Sequence, residues 1–141
     1  MSLEILRMYR GDDRTWAMTL TADGAPIDLT TATLAFSAAA TPGGEAVIEL
    51  TSADGEIVVT GALAGEITVT IAAADTSALE IPYVWSSSWY WPRSLPRRRA
   101  NYLRLYWDVQ VTDAGDRRTW PEDAGGRPRL GHLLIYADAA A

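Results

Sequence analysis

Apolar and polar residues alternate along most of the chain with the period of two that is typical of half-buried β-strands. In TWAMTLTADG, Trp16, Met18 and Leu20 share one face, while threonines occupy the other. The stretch YLRLYWDVQVTD repeats the pattern over the longest distance. The alternation predicts a core that contains Trp16, Leu20, Leu34, Phe36, Ile67, Val69, Ile71, Leu105, Trp107 and Val109.

Turn-forming residues separate these stretches. Asp23-Gly24 and Asp54-Gly55 are strong hairpin signals, because glycine adopts the backbone angles that tight turns require. TPGGE (41–45) and PEDAGGRPR (121–129) are interpreted as hairpin loops, and AAADTSALE is the one stretch with a helical appearance, capped by Asp75 or Thr76. Seven or eight short strands with such turns predict an all-β, antiparallel β-sandwich that forms a single domain over residues 1–141.

One stretch departs from the alternation. It is PYVWSSSWYWPRSLPRRRANY, an insertion of about residues 82–102 that is rich in tryptophan and arginine. A connection of about 20 residues inside a small β-domain is usually functional or contact-making. Its candidate partner-binding residues are Trp85, Trp89, Tyr90, Trp91, Arg93, Arg97, Arg98 and Arg99. We call residues 82–101 the Trp/Arg segment.

Three interpretations of the Trp/Arg segment stay open. Its tryptophans complete the core, or they pack on a neighbouring subunit, or they bind a ligand by stacking on a sugar or on single-stranded nucleic acid. Tryptophan, tyrosine and arginine are enriched at interface hot spots, and indoles left in water are costly, so we favour a subunit contact. The acidity of the remaining chain argues against nucleic acid.

Composition narrows the function classes. The chain has 141 residues, no cysteine and a formal net charge of −6. Without cysteine, and with one histidine, we expect no disulfide, no metal and no cofactor. From Pro82 to Arg104 there are five arginines and no acid, whereas the remainder holds seven arginines and 18 acids. An acidic partner or another copy of the chain is therefore expected to meet the basic stretch. We expect neither a signal peptide nor a membrane partner.

Isolated motifs suggest little chemistry. Arg10-Gly11-Asp12 spells an adhesion tripeptide but is interpreted as a turn between the first two strands. The single histidine, His132, is expected to have a packing or surface role. Asp108, Asp113 and Asp116 lack the ligand spacing of a calcium loop. We expect no catalytic residues and no enzyme activity.

The order of the motifs resembles a group of small structural proteins of tailed bacteriophages and prophages. The opening RGDDRTWAMTLTADGAPIDLTTATLAFSA is followed by a hairpin carrying VIELTSADGEIVVTG, then by GEITVTIAAADTSAL and YWDVQVTDAGDRRTWPEDAG. The chain is similar to the N-terminal immunoglobulin-like domains of upper-baseplate and tail-fibre-attachment proteins. The matching positions are Arg10, Gly11, Asp12, Pro26, Asp28, Leu29, Thr30, Ala32, Thr33, Tyr106, Trp107, Asp108, Val109, Thr112, Asp113, Gly115 and Thr119.

This resemblance covers nearly the whole chain except the Trp/Arg segment, and its motifs consist largely of strand and turn chemistry. It implies an immunoglobulin-like β-sandwich and a non-enzymatic virion protein at the tail, baseplate, neck or head surface. The protein would be made in the host cytoplasm and would contact other copies of itself and neighbouring virion proteins. The alternative is a carbohydrate-binding adhesion module whose glycan stacks on Trp85, Trp89, Tyr90 and Trp91.

Overall fold

The computed structural model describes residues 5–22, 24–81, 102–121 and 130–137. These residues form eleven strands and one short helix, which confirms the all-β class. The elements are β1 (Ile5–Tyr9), β2 (Arg14–Thr19), β3 (Thr21–Ala22), β4 (Ala25–Pro26), β5 (Thr33–Ala39), β6 (Ala46–Thr51), β7 (Ile57–Gly61), β8 (Glu66–Ile71), α1 (Ala73–Ser77), β9 (Tyr102–Asp113), β10 (Asp116–Trp120) and β11 (Gly131–Tyr136).

The strands form three sheets. The largest has the order β1-β11-β9-β5-β6, and β10 also pairs with β9. The other two are a three-stranded sheet of order β2-β8-β7 and a ribbon of β3 and β4. Strand β1 is parallel to β11, and every other pair in the described sheets is antiparallel. The largest sheet is therefore mixed, whereas the sequence predicted a purely antiparallel fold.

Both large sheets contribute to one hydrophobic cluster. Nine of the ten predicted core residues are buried, and the tenth, Trp16, is partly buried against the same cluster. Trp107 is fully buried in this cluster and stacks on Phe36 with ring centroids 5.5 Å apart. The Trp107 indole N–H donates to the carbonyl of His132 at 3.2 Å. This bond satisfies the polar atom that a buried tryptophan brings into a core.

Two of the predicted hairpins are confirmed. Strands β3 and β4 pair on either side of Asp23-Gly24, and Gly24 has a φ of +82°. Asp23 itself lies outside the described residues. Residues 41–45 join β5 to β6, which pair with each other.

The other two predicted hairpins are wrong. Asp54-Gly55 forms a turn, with Gly55 N–H donating to the Ser52 carbonyl at 3.2 Å. However, β6 pairs with β5 and β7 pairs with β8, so this turn joins two sheets. Residues 121–129 connect β10 with β11, and these strands pair with different halves of β9. Turn chemistry reverses the chain, but the pairing is decided by which apolar faces meet in the core.

Helix α1 and the tripeptide turn are bonded to each other. Arg10-Gly11-Asp12 forms the expected turn between β1 and β2, and Gly11 has a φ of +83°. The Gly11 N–H donates to Oγ1 of Thr76, a fully buried residue of α1, at 2.9 Å. The segment that resembles an adhesion tripeptide is therefore part of the scaffold.

The predicted helix cap is wrong in position. The N-cap is Ala72, while Asp75 lies inside the helix and accepts a hydrogen bond from the Ala72 N–H at 3.0 Å. The carboxylate of Asp13 accepts from the Ala73 N–H at 2.7 Å. The helix start is thus satisfied partly by an aspartate from the turn between β1 and β2, which is distant in sequence. No helix of the described residues is long and apolar enough to span a membrane.

Candidate functional site

The predicted partner-binding residues, Trp85 to Arg99, lie outside the described residues, and their role stays a prediction. The described chain ends at Ile81 and resumes at Tyr102, the first residue of β9. Tyr102 pairs with Tyr136. On the other side, Arg10 donates through Nη1 to the Leu79 carbonyl at 3.3 Å and through its backbone N–H to the Tyr136 carbonyl at 2.9 Å. Leu79, before the Trp/Arg segment, and Tyr102, after it, are therefore both linked to Tyr136, the first through Arg10 and the second by strand pairing.

Three adjacent strands present nine outward side chains at this end of the mixed sheet. The inward residues of β1, β11 and β9 are buried, and the residues between them point away from the core. We call the outward set the tyrosine–arginine face: Ile5, Arg7 and Tyr9 on β1, His132, Leu134 and Tyr136 on β11, and Tyr102, Arg104 and Tyr106 on β9.

Strand register arranges these nine residues in three rows. The first row is Tyr9, Tyr136 and Tyr102, the second is Arg7, Leu134 and Arg104, and the third is Ile5, His132 and Tyr106. Side chains at directly opposite positions of paired strands are close enough to interact. The register therefore forms a row of three tyrosines next to a leucine that is flanked by two arginines.

The tyrosine rings contact one another without sharing a plane. The centroids of Tyr9 and Tyr136 are 6.2 Å apart with an interplanar angle of 55°, and those of Tyr102 and Tyr136 are 5.8 Å apart with an angle of 49°. These tilted arrangements are favourable for aromatic pairs. Because the rings are tilted, the row does not form a flat platform for an extended sugar chain.

Arg104 lies between two tyrosines of its own strand. Hydrogen bonds with the hydroxyl of Tyr106 and then with that of Tyr102 raise the pKa of its guanidinium above the usual value. The ring of Tyr106 in turn contacts the imidazole of His132, with centroids 5.1 Å apart. His132 is a member of the face, in agreement with the expected packing or surface role.

The tyrosine–arginine face contains no acidic residue, although the chain carries a net charge of −6. Its two arginines, Arg7 and Arg104, are exposed, and Tyr9 is 49% exposed. A surface of tyrosine, arginine and aliphatic side chains has the composition of protein interface cores. The face therefore extends the chemistry of the Trp/Arg segment onto the described sheet.

A cavity of about 290 Å³ lies beside the tyrosine row. It is lined by Arg7, Met8, Tyr9, Asp12, Asp13, Arg14 and Tyr136. One rim is the turn of residues 10–13, which is fixed to α1 by the hydrogen bonds of Gly11 and Asp13. The lining has no net formal charge, because it contains two arginines and two aspartates.

The three aspartates considered for calcium do not form one metal-binding group, although Asp116 lies directly opposite Asp113 in the pairing of β10 with β9. Asp108 is half-buried on the outward side of β9 and accepts from Oγ of Ser37 at 3.1 Å. Burial raises the pKa of the Asp108 carboxyl, and the Ser37 bond and Arg117 oppose this rise. Asp113 accepts from Oγ1 of Thr31 at 2.7 Å. Across the described ranges, no group of three His, Cys, Asp or Glu side chains could hold a metal ion.

The sequence pattern missed most of the tyrosine–arginine face. Alternation in β9 places Tyr102, Arg104 and Tyr106 on one side, so this part was accessible to sequence reasoning. The contribution of Tyr9 and Tyr136 depends on the parallel pairing of β1 with β11, and a local pattern contains no signal for that pairing.

Comparison with known proteins adds no relative. No protein-family model matches the chain, and no curated protein matches it significantly. The class of protein defined here is an all-β protein with one mixed sheet and one antiparallel sheet around a shared core.

Proposed function

We propose that this chain is a non-enzymatic structural protein of a tailed-phage or phage-derived particle, located at the tail, baseplate, neck or head surface. Its fold would be an immunoglobulin-like β-sandwich that presents the Trp/Arg segment to other copies and to neighbouring particle proteins. The motif resemblance supports the particle assignment. The observation that carries the contact role is the tyrosine–arginine face, which begins where the Trp/Arg segment enters β9.

The energetic argument rests on burial. Each aromatic side chain that an interface removes from water contributes roughly 1.5–3 kcal/mol, so three indoles contribute several kcal/mol to association. Arg97, Arg98 and Arg99 have no acid within the segment and would meet carboxylates of the partner. Such charge contacts at an interface rim mainly orient the partners and speed their encounter.

Co-purification with particles tests this proposal. In cells that produce the particle, the wild-type chain should sediment with it. A variant with Trp85, Trp89 and Trp91 changed to alanine should be recovered in particles at least tenfold less. Leu63→Ser, which changes a leucine that is 77% exposed in the turn between β7 and β8, is the matched control and should be incorporated normally. Normal incorporation of the triple variant, or absence of the wild-type chain from particles, would contradict the proposal.

A carbohydrate-binding adhesion module is the second candidate. The neutral cavity bounded by Tyr9 and Tyr136 favours it, because aromatic rings stack on sugar rings while aspartate and arginine bond to hydroxyl groups. In this case the tryptophans of the Trp/Arg segment would add a stacking surface. Glycan-array binding by the isolated protein, abolished by Tyr136→Ala, would favour this candidate over assembly.

A further inference from the structure

The opposite edge of the mixed sheet carries a strip with the reverse charge. Among the described strands, β6 lies at the edge farthest from β1. Glu45, directly before β6, and Val47 and Glu49 within it are all exposed, and Val47 is 46% exposed. Ile48 and Leu50, which alternate with them, are buried. We call Glu45, Val47 and Glu49 the β6 acidic strip.

This strip matches the middle row of the tyrosine–arginine face in order and in size. The row has a leucine between two arginines, and the strip has a valine between two glutamates. Arg7 and Arg104 are two strand spacings apart, or about 10 Å, whereas Glu45, directly before β6, and Glu49 within it are four residues apart, or about 13 Å for extended backbone. Long arginine side chains can span this difference, so both charge pairs can form while the aliphatic side chains meet.

We propose that the tyrosine–arginine face of one copy docks on the β6 acidic strip of a second copy. The inference rests on the proposed function in one respect, namely that the chain makes assembly contacts. It adds to that function the identity of the partner, which is a second copy of the chain, and the two surfaces that meet. Because the two surfaces are different parts of the chain, we expect a head-to-tail contact that leaves one free surface of each kind at the ends. Such contacts close into rings or continue as filaments.

The size of the contact predicts its strength. Three strands by five residues cover roughly 200–300 Å², taking the usual strand spacing and rise. Stable interfaces bury about 800 Å² on each partner. The small area means that the isolated contact is weak. The contact is also sensitive to salt, because exposed charges are screened beyond about 8–10 Å at moderate ionic strength. Association should be visible at high protein concentration in low salt.

A charge-exchange experiment tests the pairing. One variant reverses the face with Arg7→Glu and Arg104→Glu, and another reverses the strip with Glu45→Arg and Glu49→Arg. Sedimentation equilibrium from 10 µM to 1 mM protein in low salt would measure association, and circular dichroism would check the fold. The wild-type chain should associate, and each variant alone should associate at least tenfold more weakly. An equimolar mixture of the two variants should recover association, because each reversed surface then meets its complement.

Matched charge changes elsewhere provide the controls. Arg117→Glu with Arg118→Glu on β10, and Glu66→Arg with Asp116→Arg, change the net charge equally and should leave association within twofold of wild type. The inference is overturned if the wild-type chain is monomeric at 1 mM, if either reversed variant associates normally, or if the mixture shows no recovery. If the mixture recovers association but the wild-type chain does not enter particles, the proposed function is rejected while the contact between copies stands.

Discussion

At the residue scale, the pattern of the sequence predicts the core well. Nine of the ten expected positions are buried because alternation in a half-buried strand reports directly on the inward face. Trp16 is the one expected core residue that is only partly buried. Its strand, β2, lies at the edge of the three-stranded sheet, so fewer neighbouring strands cover the ring. The pattern did not identify Gly131, whose role depends on a tertiary contact with Trp107.

Gly131→Ala should destabilise the fold. A Cβ at this position would overlap the ring of Trp107, which is fully buried. Overpacking of this kind costs about 1–3 kcal/mol, measurable as a lower free energy of unfolding in urea. In a Trp107→Phe background, where the ring is smaller, the same change should cost clearly less. Equal costs in both backgrounds would show that the Trp107 contact is not the cause.

Asp108→Asn should relieve a pH-dependent cost. Burial raises the pKa of the Asp108 carboxyl in the folded state, so the folded protein holds this proton more tightly than the unfolded chain. The wild-type chain therefore loses stability from this group as pH rises from the unfolded pKa, near 3.8, through the raised folded pKa. The stability of Asp108→Asn relative to wild type should increase over that window in urea titrations. A constant difference between pH 3 and pH 6.5 would refute this account.

At the element scale, the strands were predictable and their connections were only partly so. Asp54-Gly55 has the chemistry of a hairpin turn, yet it joins two sheets, because local signals specify a reversal and not the partner strand. The cap of α1 was misplaced for a similar reason. Asp13, which bonds the first helical N–H, is far away in sequence and close only after folding.

Thr76→Val tests the bond between α1 and the first turn. The change keeps the shape but removes the oxygen that accepts from the Gly11 N–H. Because Gly11 is exposed and its N–H can bond to water instead, losing this hydrogen bond should cost about 0.5–1.5 kcal/mol, and amide exchange at Gly11 should accelerate. Ser77→Ala, one residue away and exposed, should change stability by less than about 0.5 kcal/mol. Similar effects of the two substitutions would mean that helix propensity, and not this bond, is responsible.

At the scale of the whole molecule, the described strands contain a continuous core, and the tyrosine–arginine face lies on its outside. The sequence predicted one all-β domain with a distinctive basic insertion. It could not predict the face, because the parallel pairing of β1 with β11 brings together the two ends of the described chain. Complementary charge at the two edges of one sheet likewise becomes apparent only from the strand order.

Replacing residues 82–101 by a short glycine–serine linker should leave a folded protein. Leu79 and Tyr102 are both linked to Tyr136, Leu79 through the hydrogen bonds of Arg10 and Tyr102 through strand pairing, so we expect a short linker to join the flanking residues, and the core residues identified in the strands remain. Far-ultraviolet circular dichroism and cooperative urea unfolding should resemble those of the wild-type chain. A non-cooperative transition would instead indicate that the tryptophans of the segment complete the core.

Imaging of the intact particle, at a resolution that traces this chain, tests the central claim of an assembly contact most directly. The account predicts that Trp85, Trp89 and Trp91 are buried against a neighbouring chain and that Arg97, Arg98 and Arg99 lie opposite carboxylates of that neighbour. It is contradicted if the three indoles are buried within their own chain, or if they remain exposed to solvent in the assembled particle.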